Sequence, residues 1–166
     1  MTAALRVAVL VCSDRAAAGR RDDLSGPALA DWLAGQGAEV VAVDVVPDER
    51  DVIAGCLRAW CDGDGADVVV TCGGTGVSPR DVTPEATADV IDRALPGFGE
   101  AMRAASLRHS PHAMISRAVA GLRGGVLVIN VPGSPRAAVQ NLEAVWPAAP
   151  HAVAKARGDQ EPCGDQ

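Results

Sequence analysis

The sequence predicts an α/β protein: a three-layer α/β/α sandwich with a mostly parallel sheet and one antiparallel strand. Four short apolar runs rich in β-branched residues are continuous rather than alternating, as in strands buried on both faces. Helical patterns lie between most of these runs, and parallel strands require such crossover connections. Because 48% of the residues are hydrophobic but only 2% are aromatic, the core must be packed from Val, Ala, Leu and Ile.

The predicted strands are Leu5–Cys12, Glu39–Val46, Asp67–Cys72 and Gly125–Val131. The segment SRAVAGLRGG, which begins at Ser116, precedes the last of these runs. A turn at Gly124 and Gly125 would fold it back as a hairpin. This hairpin is the source of the predicted antiparallel strand.

The predicted helices follow from apolar residues at helical spacing, with Pro in the first turn and Gly at the end. They cover Leu24–Gln36, a segment that begins near Glu49, Pro84–Leu95, Phe98–Leu107 and about Ser134 to Trp146. Thr83 offers a capping hydroxyl for the third helix, and Pro96-Gly97 is expected to break it. Pro147 is expected to end the last helix.

The length of 166 residues suits a single domain, which we place at residues 1–156. Residues 157–166 are polar and contain Gly and Pro, so we expect a disordered tail that includes Cys163. The five cysteines form no C-x-x-C pair, which disfavours both a disulfide framework and a zinc site.

A formal net charge of −6 disfavours nucleic acid and anionic membranes as partners. The apolar runs are too short to span a membrane, and the N-terminal residues lack a small-residue cleavage site. We therefore expect a cytoplasmic protein without a nucleic-acid or membrane partner.

The stretch TCGGTGVSPRDVTPEAT, residues 71–87, follows the third predicted strand. Ligands of open α/β sheets collect beyond the carboxyl ends of the strands, where this loop falls. Gly73, Gly74 and Gly76 lack side chains, so backbone N–H groups can approach an anion closely, and Thr75 and Ser78 add hydroxyls. The loop matches neither the P-loop nor the dinucleotide fingerprint. Phosphate binding and a simple turn are both open interpretations.

Two carboxylates are expected at the same edge of the sheet as this loop. Asp81 lies at the end of the loop, and Asp48 follows the second strand in the sequence VVPDER. For each carboxylate considered singly, helix capping explains its position as well as a functional role does. As a pair beside a phosphate loop, they favour a Mg²⁺ ion that bridges substrate phosphates.

The segment NVPGSP, residues 130–135, follows the fourth strand and opens a helix. Asn130 has the groups to hydrogen-bond the edge of a heterocycle, and Gly133 and Ser134 can present N–H groups to an anion. Ordinary turn chemistry is the alternative for this segment. In contrast, His109 and His112 are not expected to bind a metal, because Ser110-Pro111 breaks any helix that would fix their spacing.

Seven segments together make the chain resemble the Mog/MoaB family of molybdenum-cofactor biosynthesis proteins, which includes the G domain of gephyrin. They are SDRAAAG from Ser13, SGPALADWL from Ser25, VVPDE from Val45, GGTGVSPRDVTPEAT from Gly73, PGFGEAMR from Pro96, SRAVAGLRG from Ser116 and NVPGSP from Asn130.

This resemblance implies a molybdopterin adenylyltransferase that uses Mg²⁺ and ATP to attach AMP to the terminal phosphate of molybdopterin before molybdate insertion. It also implies a homotrimer, with the molybdenum-insertion protein as a candidate partner. Asp48 and Asp81 match the two essential carboxylates of the family, and residues 74–76 match its phosphate loop. Ser13, Ser116 and Asn130 match positions that line the pterin and nucleotide pocket.

Two positions depart from the family pattern, since Cys72 and Ser134 stand where Thr and Asn are commoner. Arg15, Arg80 and Arg117 are candidates to offset substrate charge, although surface ion pairing would explain each of them. A non-catalytic pterin-binding or oligomerisation module of the MoaB type is the alternative function. The related competence-damage-inducible domains are a third, but they usually carry a further C-terminal domain.

Overall fold

The computed structural model describes residues 4–160, which form one six-stranded sheet with the order β2-β1-β3-β6-β5-β4. Strands β1 (Arg6–Cys12), β2 (Glu39–Val46), β3 (Val68–Cys72) and β6 (Val126–Val131) are parallel. Strand β5 (Ala120–Arg123) is antiparallel to β6, and the two-residue β4 (Arg93–Ala94) is antiparallel to β5. The predicted fold class, including the hairpin, is confirmed.

Helices cover both faces of this sheet. They are α1 (Asp14–Ala17), α2 (Ser25–Gly35), α3 (Arg50–Asp62), α4 (Thr83–Ala88), α5 (Pro96–Leu107), α6 (Pro135–Val145) and α7 (Ala149–Ala156), with 3₁₀ turns at Pro111–Ile115 and Trp146–Ala148. Helices α2, α5, α6 and α7 bury one apolar cluster, and α3 and α4 bury a second. The central strands β1, β3 and β6 are buried on both faces, which explains their continuous apolar sequence.

The prediction of one helix over Pro84–Leu95 is wrong beyond Ala88. The chain turns there, and Arg93 and Ala94 pair with Leu122 and Gly121 of β5. The strand pairing supplies backbone partners that the local helical spacing does not reveal. Pro96 then occupies the first turn of α5 rather than breaking a helix, as its missing N–H allows.

Three smaller predictions also differ from the structure. Thr83 lies inside α4, since the cap position belongs to Val82. The short helix α1, capped by the hydroxyl of Ser13, was not predicted. The chain beyond Pro147 continues as α7, because Pro is tolerated in the first turns of the helical segments that follow.

The end of the described chain is attached to the sheet. Arg157, which the sequence assigns to the tail, donates from Nη2 to Asp67 Oδ1 at 2.7 Å. Residues 161–166, including Cys163, lie outside the described residues. Within residues 4–160 none of the helices has the length and apolar character needed to cross a membrane.

Candidate active site

A cavity of about 490 Å³ lies at the carboxyl ends of the parallel strands. Segments that follow β1, β2, β3 and β6 all contribute to its wall, as expected where a parallel sheet collects its ligand loops. The predicted site residues that line it are Ser13, Asp48, Gly73, Gly74, Ser78, Asp81, Gly133 and Ser134. The structure thus brings both candidate metal carboxylates to one cavity.

The same glycine loop borders a second cavity of about 290 Å³. Thr75, Gly76 and Ser116, which the sequence also predicted as site residues, line this cavity rather than the first. Ser106 and His112 lie in its wall as well. Two cavities therefore meet at the loop formed by residues 73–81.

Asn130 lines neither cavity, so the structure does not support a direct ligand contact by this side chain. It is fully buried under the rim, where its Nδ2 donates to the hydroxyls of Thr71 at 2.8 Å and Thr87 at 2.9 Å. Its Oδ1 accepts from the backbone N–H of Val119 at 3.2 Å. The alternating side-chain direction along β6 points Asn130 toward α4, into the core.

Asp48 is held by a reciprocal pair of hydrogen bonds with Asp14, the residue that begins α1. The Asp14 N–H donates to Asp48 Oδ2 at 2.9 Å, and the Asp48 N–H donates to Asp14 Oδ1 at 3.0 Å. Burial, followed by the charges of Asp14 and Asp81, raises the pKa of the Asp48 carboxyl. The cavity therefore favours a positive ligand beside Asp48.

Arg80 connects three of the rim segments. Its guanidinium donates two hydrogen bonds of 3.0 Å to the Asp14 carboxylate and one of 2.7 Å to Glu49. Hydrogen bonding to Arg80 lowers the pKa of Asp14, so Asp14 stays ionised. Arg80 precedes Asp81, and Glu49 follows Asp48, so this network brings the two candidate carboxylates to one place.

Arg117 holds the glycine loop from its other side. Its side chain donates to the carbonyls of Gly76 and Asp81, each at 2.7 Å, and forms an ion pair with Glu85. Its backbone N–H donates to the Thr75 carbonyl at 2.8 Å. Arg117 is thus committed to protein groups and shapes the loop.

Arg15 and Arg21 are the two exposed arginines in the wall of the larger cavity that form no ion pair among residues 4–160. Both follow β1 along the chain. Of the three predicted arginines, only Arg15 therefore keeps its guanidinium for a substrate anion.

The glycines of the loop are required by geometry. Gly73 and Gly74 have φ values of +103° and +64°, in the region that side chains disfavour. A Cβ atom on Gly73 would also lie 2.4 Å from the Cys12 carbonyl oxygen, and one on Gly76 would lie 2.8 Å from Asp81 Oδ2. Main chain therefore packs directly against main chain and against the candidate metal ligand.

The seryl hydroxyls at the rim serve as helix caps. Ser13 Oγ accepts from Ala16 N at 3.3 Å, and Ser134 Oγ accepts from Ala137 N at 3.3 Å. Each hydroxyl still has a proton to donate to a ligand. Ser134, which departs from the commoner Asn, thus keeps the capping role.

The donor set fits a Mg²⁺ ion. Asp48 Oδ1 is buried and has no hydrogen-bond partner among residues 4–160, while Asp81 Oδ2 accepts from the Ser78 N–H at 2.9 Å. No group of three or more His, Cys, Asp or Glu side chains that could hold a metal occurs in this part of the chain. Mg²⁺ commonly takes only one or two carboxylates and completes its shell with water and substrate phosphates.

The sequence did not predict that Asp14 and Thr83 lie beside the candidate metal ligand Asp48. Asp14 is adjacent to Ser13 in the motif SDRAAAG, so its position after a strand was the available signal. Thr83 was interpreted as a cap, and its unpaired hydroxyl is visible only in three dimensions.

Comparison with known proteins identifies the family. Residues 8–151 match the family model described as a probable molybdopterin binding domain, MoCF_biosynth. Molybdopterin adenylyltransferase of Helicobacter pylori is 46% identical over 151 residues, covering 90% of this chain and 86% of that protein. The Escherichia coli K12 protein of the same name is 41% identical over 143 residues, covering 85% and 73%.

Solved structures agree with the sequence relatives. The molybdopterin biosynthesis enzyme MoaB from Thermus thermophilus has a TM-score of 0.86 and 46% identity, over 96% of this chain and 99% of that one. CinA from Thermoplasma acidophilum, at 20% identity and a TM-score of 0.67, shares the fold alone. The resemblance inferred from the motifs is confirmed, and the chain belongs to the MoCF_biosynth family of probable molybdopterin-binding domains.

Proposed function

We propose that this protein is a molybdopterin adenylyltransferase, which transfers AMP from Mg-ATP to the terminal phosphate of molybdopterin. The observation that carries this proposal is the position of the loop 73–81 between two cavities, with Asp48 and Asp81 in the larger one. Relatives that are 41–46% identical over most of the chain are named for this reaction. Two cavities that share a loop suit a reaction with two phosphorylated substrates.

In this proposal ATP occupies the larger cavity and the pterin occupies the smaller one. Gly73 and Gly74 present bare main chain to the ATP phosphates, and the unpaired Arg15 and Arg21 offset their charge. Thr75, Ser106 and Ser116 offer hydroxyl or backbone groups to the pterin and its phosphate. Both volumes lie near the usual range for small-molecule sites, which is roughly 300–1,000 Å³.

The transfer forms a bond between an oxygen of the pterin phosphate and the α-phosphorus of ATP. The bond from that phosphorus to the pyrophosphate oxygen breaks, and pyrophosphate leaves with the electron pair. A phosphate monoester has a second pKa of about 6, so the attacking oxygen is already ionised at neutral pH. The chain therefore needs no general base and acts by alignment and electrostatic stabilisation.

Asp48 and Asp81 would hold the Mg²⁺ ion of this reaction. When bound, the ion would neutralise charge on the non-bridging phosphate oxygens. The protein's own contribution is to fix both carboxylates. Asp14 and Arg80 fix Asp48, and the Ser78 N–H fixes Asp81.

We also propose a homotrimeric, cytoplasmic protein that hands its product to a molybdenum-insertion protein. The family resemblance supports this assembly. The edge strand β2 carries the exposed residues Val41, Val43 and Val45, and an exposed apolar edge strand is prone to pair with another chain.

The decisive test is incubation with molybdopterin, ATP and Mg²⁺, followed by detection of an adenylylated pterin. Asp81→Asn should lower the rate by at least about 10³-fold while the fold and pterin binding are kept, because the metal-held phosphate is lost. Asp31→Asn, an exposed acid on α2, is the matched control and should transfer normally. Pterin binding without any transfer by the wild type would instead favour the non-catalytic module.

A further inference from the structure

Two buried side-chain oxygens in residues 4–160 lack a hydrogen-bond partner: Asp48 Oδ1 and Thr83 Oγ1. An unpaired buried polar atom is costly, so proteins rarely keep one without a use for it. Thr83 is fully buried in the first turn of α4. Its hydroxyl does not cap the helix, and the family resemblance assigns no function to Thr83.

Both oxygens face Gly74. A Cβ atom on Gly74 would lie 2.4 Å from Thr83 Oγ1 and 3.1 Å from Asp48 Oδ1. The Thr83 N–H donates to the Gly74 carbonyl at 3.2 Å, which ties α4 to the glycine loop. The absence of a side chain at position 74 thus leaves the two unpaired oxygens as neighbours beneath the loop.

Other buried threonines show that an unpaired hydroxyl is exceptional here. Thr71 and Thr87 are fully buried as well, and each accepts a hydrogen bond from Asn130. The Cys12 thiol lies near the Thr83 hydroxyl, but no hydrogen bond of ordinary geometry joins them, since the thiol donates to the Leu10 carbonyl, and a thiol is a weak partner. Asp48 Oδ1 is the strongest acceptor at hand for the Thr83 proton.

We propose that Thr83 is a positioning residue of the cation site, whose hydroxyl donates to Asp48 Oδ1 when the cation and nucleotide bind. Asp48 Oδ2 already accepts from the Asp14 N–H, so a donor on Oδ1 fixes the carboxylate from both sides. A carboxylate has about four lone-pair sites, which leaves it able to bind a cation. This inference rests on the proposed function, because the cation belongs to that reaction.

The test uses Mn²⁺ as the probe, with its affinity measured by electron paramagnetic resonance in the presence of a non-hydrolysable ATP analogue. Thr83→Val keeps the shape of the side chain but removes the hydroxyl. It should weaken Mn²⁺ binding by about 10-fold or more, as loss of a group that orients a metal ligand commonly does. Thr83→Ser restores the hydroxyl and should bind Mn²⁺ within about 3-fold of the wild type.

Thermal stability is a second test, because Thr83→Val is expected to weaken Mn²⁺ binding but not to lower the melting temperature of the metal-free protein. The metal-free Thr83→Val protein should melt at or above the wild-type temperature, because an unpaired buried hydroxyl has been removed. Thr87→Val, one turn along the same helix, is the matched control. It loses the bond from Asn130 and should melt a few degrees lower, by roughly 2–6 °C, with unchanged Mn²⁺ affinity.

Wild-type Mn²⁺ affinity in Thr83→Val would overturn the inference, as would a drop in its melting temperature equal to that of Thr87→Val. The proposed function fails separately, and the inference with it, if the wild type shows no Mn²⁺- or Mg²⁺-dependent AMP transfer. If the wild type transfers AMP normally and Thr83→Val binds Mn²⁺ as tightly as the wild type, the role of Thr83 is refuted while the proposed function stands.

Discussion

Replacing Asp67 by Asn is expected to destabilise the protein at neutral pH but not at low pH. Asp67 is buried immediately before β3, and its carboxylate accepts hydrogen bonds from the Arg6 N–H at 2.7 Å and the Arg6 guanidinium at 3.0 Å. Arg157 donates a further bond at 2.7 Å. Burial by itself raises the pKa of Asp67, but these hydrogen bonds outweigh it and lower the pKa to about 2.

The size of the effect follows from that pKa. The ordinary value is 3.8, so the folded protein favours the ionised Asp67 by about 2 kcal/mol. Because the folded pKa is the lower one, the unfolded chain takes up the proton first as the pH falls. The stabilisation is therefore complete above about pH 4 and is lost as the pH falls toward 2.

Urea unfolding at pH 7, 5 and 3 tests this prediction. The gap in unfolding free energy between wild type and Asp67→Asn should stay near 2 kcal/mol from pH 7 to 5 and shrink at pH 3. Asp62→Asn is the control, because Asp62 pairs with Arg123 but is 55% exposed, so its loss should be small at every pH. A gap that persists unchanged at pH 3 would refute the reasoning.

Three further predictions concern the site and the assembly. Asp14→Asn and Arg80→Ala should each lower kcat/KM for AMP transfer by about 10-fold. The double variant should be no worse than either single variant, because both residues act by fixing the Asp48 carboxylate, and additive losses would contradict this. Gly74→Ala should lower both activity and melting temperature, because its φ is +64° and its methyl group would lie 2.4 Å from a buried hydroxyl oxygen, whereas Gly35→Ala meets nothing within 4 Å and should fold normally. Sedimentation should show a wild-type trimer that Val45→Lys weakens, and a stable wild-type monomer would exclude the trimer.

Most of the architecture was predictable because it depends on local pattern. Continuous apolar runs specify strands buried on both faces, and the Gly124-Gly125 pair specifies the hairpin. The segment after Ala88 was not predictable, because Val90 and Ile91 continue the helical spacing of apolar residues while the backbone of Arg93 and Ala94 pairs at the sheet edge. Pairing with β5 is a long-range event, and helix propensity carries no information about it.

The site was predictable to the extent that it depends on position in the topology. Residues that follow parallel strands meet at one edge, so Asp48 and Asp81 were correctly expected in one cavity. Side-chain direction was harder to predict. Asn130 belongs to the same motif as Gly133 and Ser134, which line the larger cavity. Its side chain nevertheless points into the core and pairs with Thr71 and Thr87.

The charge distribution of the site explains how an acidic protein can bind two phosphorylated substrates. Arg80 and Arg117 lie beside the cavities, but carboxylates and loop carbonyls already occupy their guanidinium groups. They neutralise the acids that would otherwise repel phosphate, and they hold the loop in shape. Attraction for the substrates must then come from main-chain N–H groups, from Arg15 and Arg21, and from a divalent cation.

On this reasoning, removal of divalent cations with a chelator should weaken ATP binding far more than pterin binding, because the two candidate cation ligands line only the larger cavity. Isothermal titration with each substrate, before and after chelation, would show whether the cation serves one cavity or both.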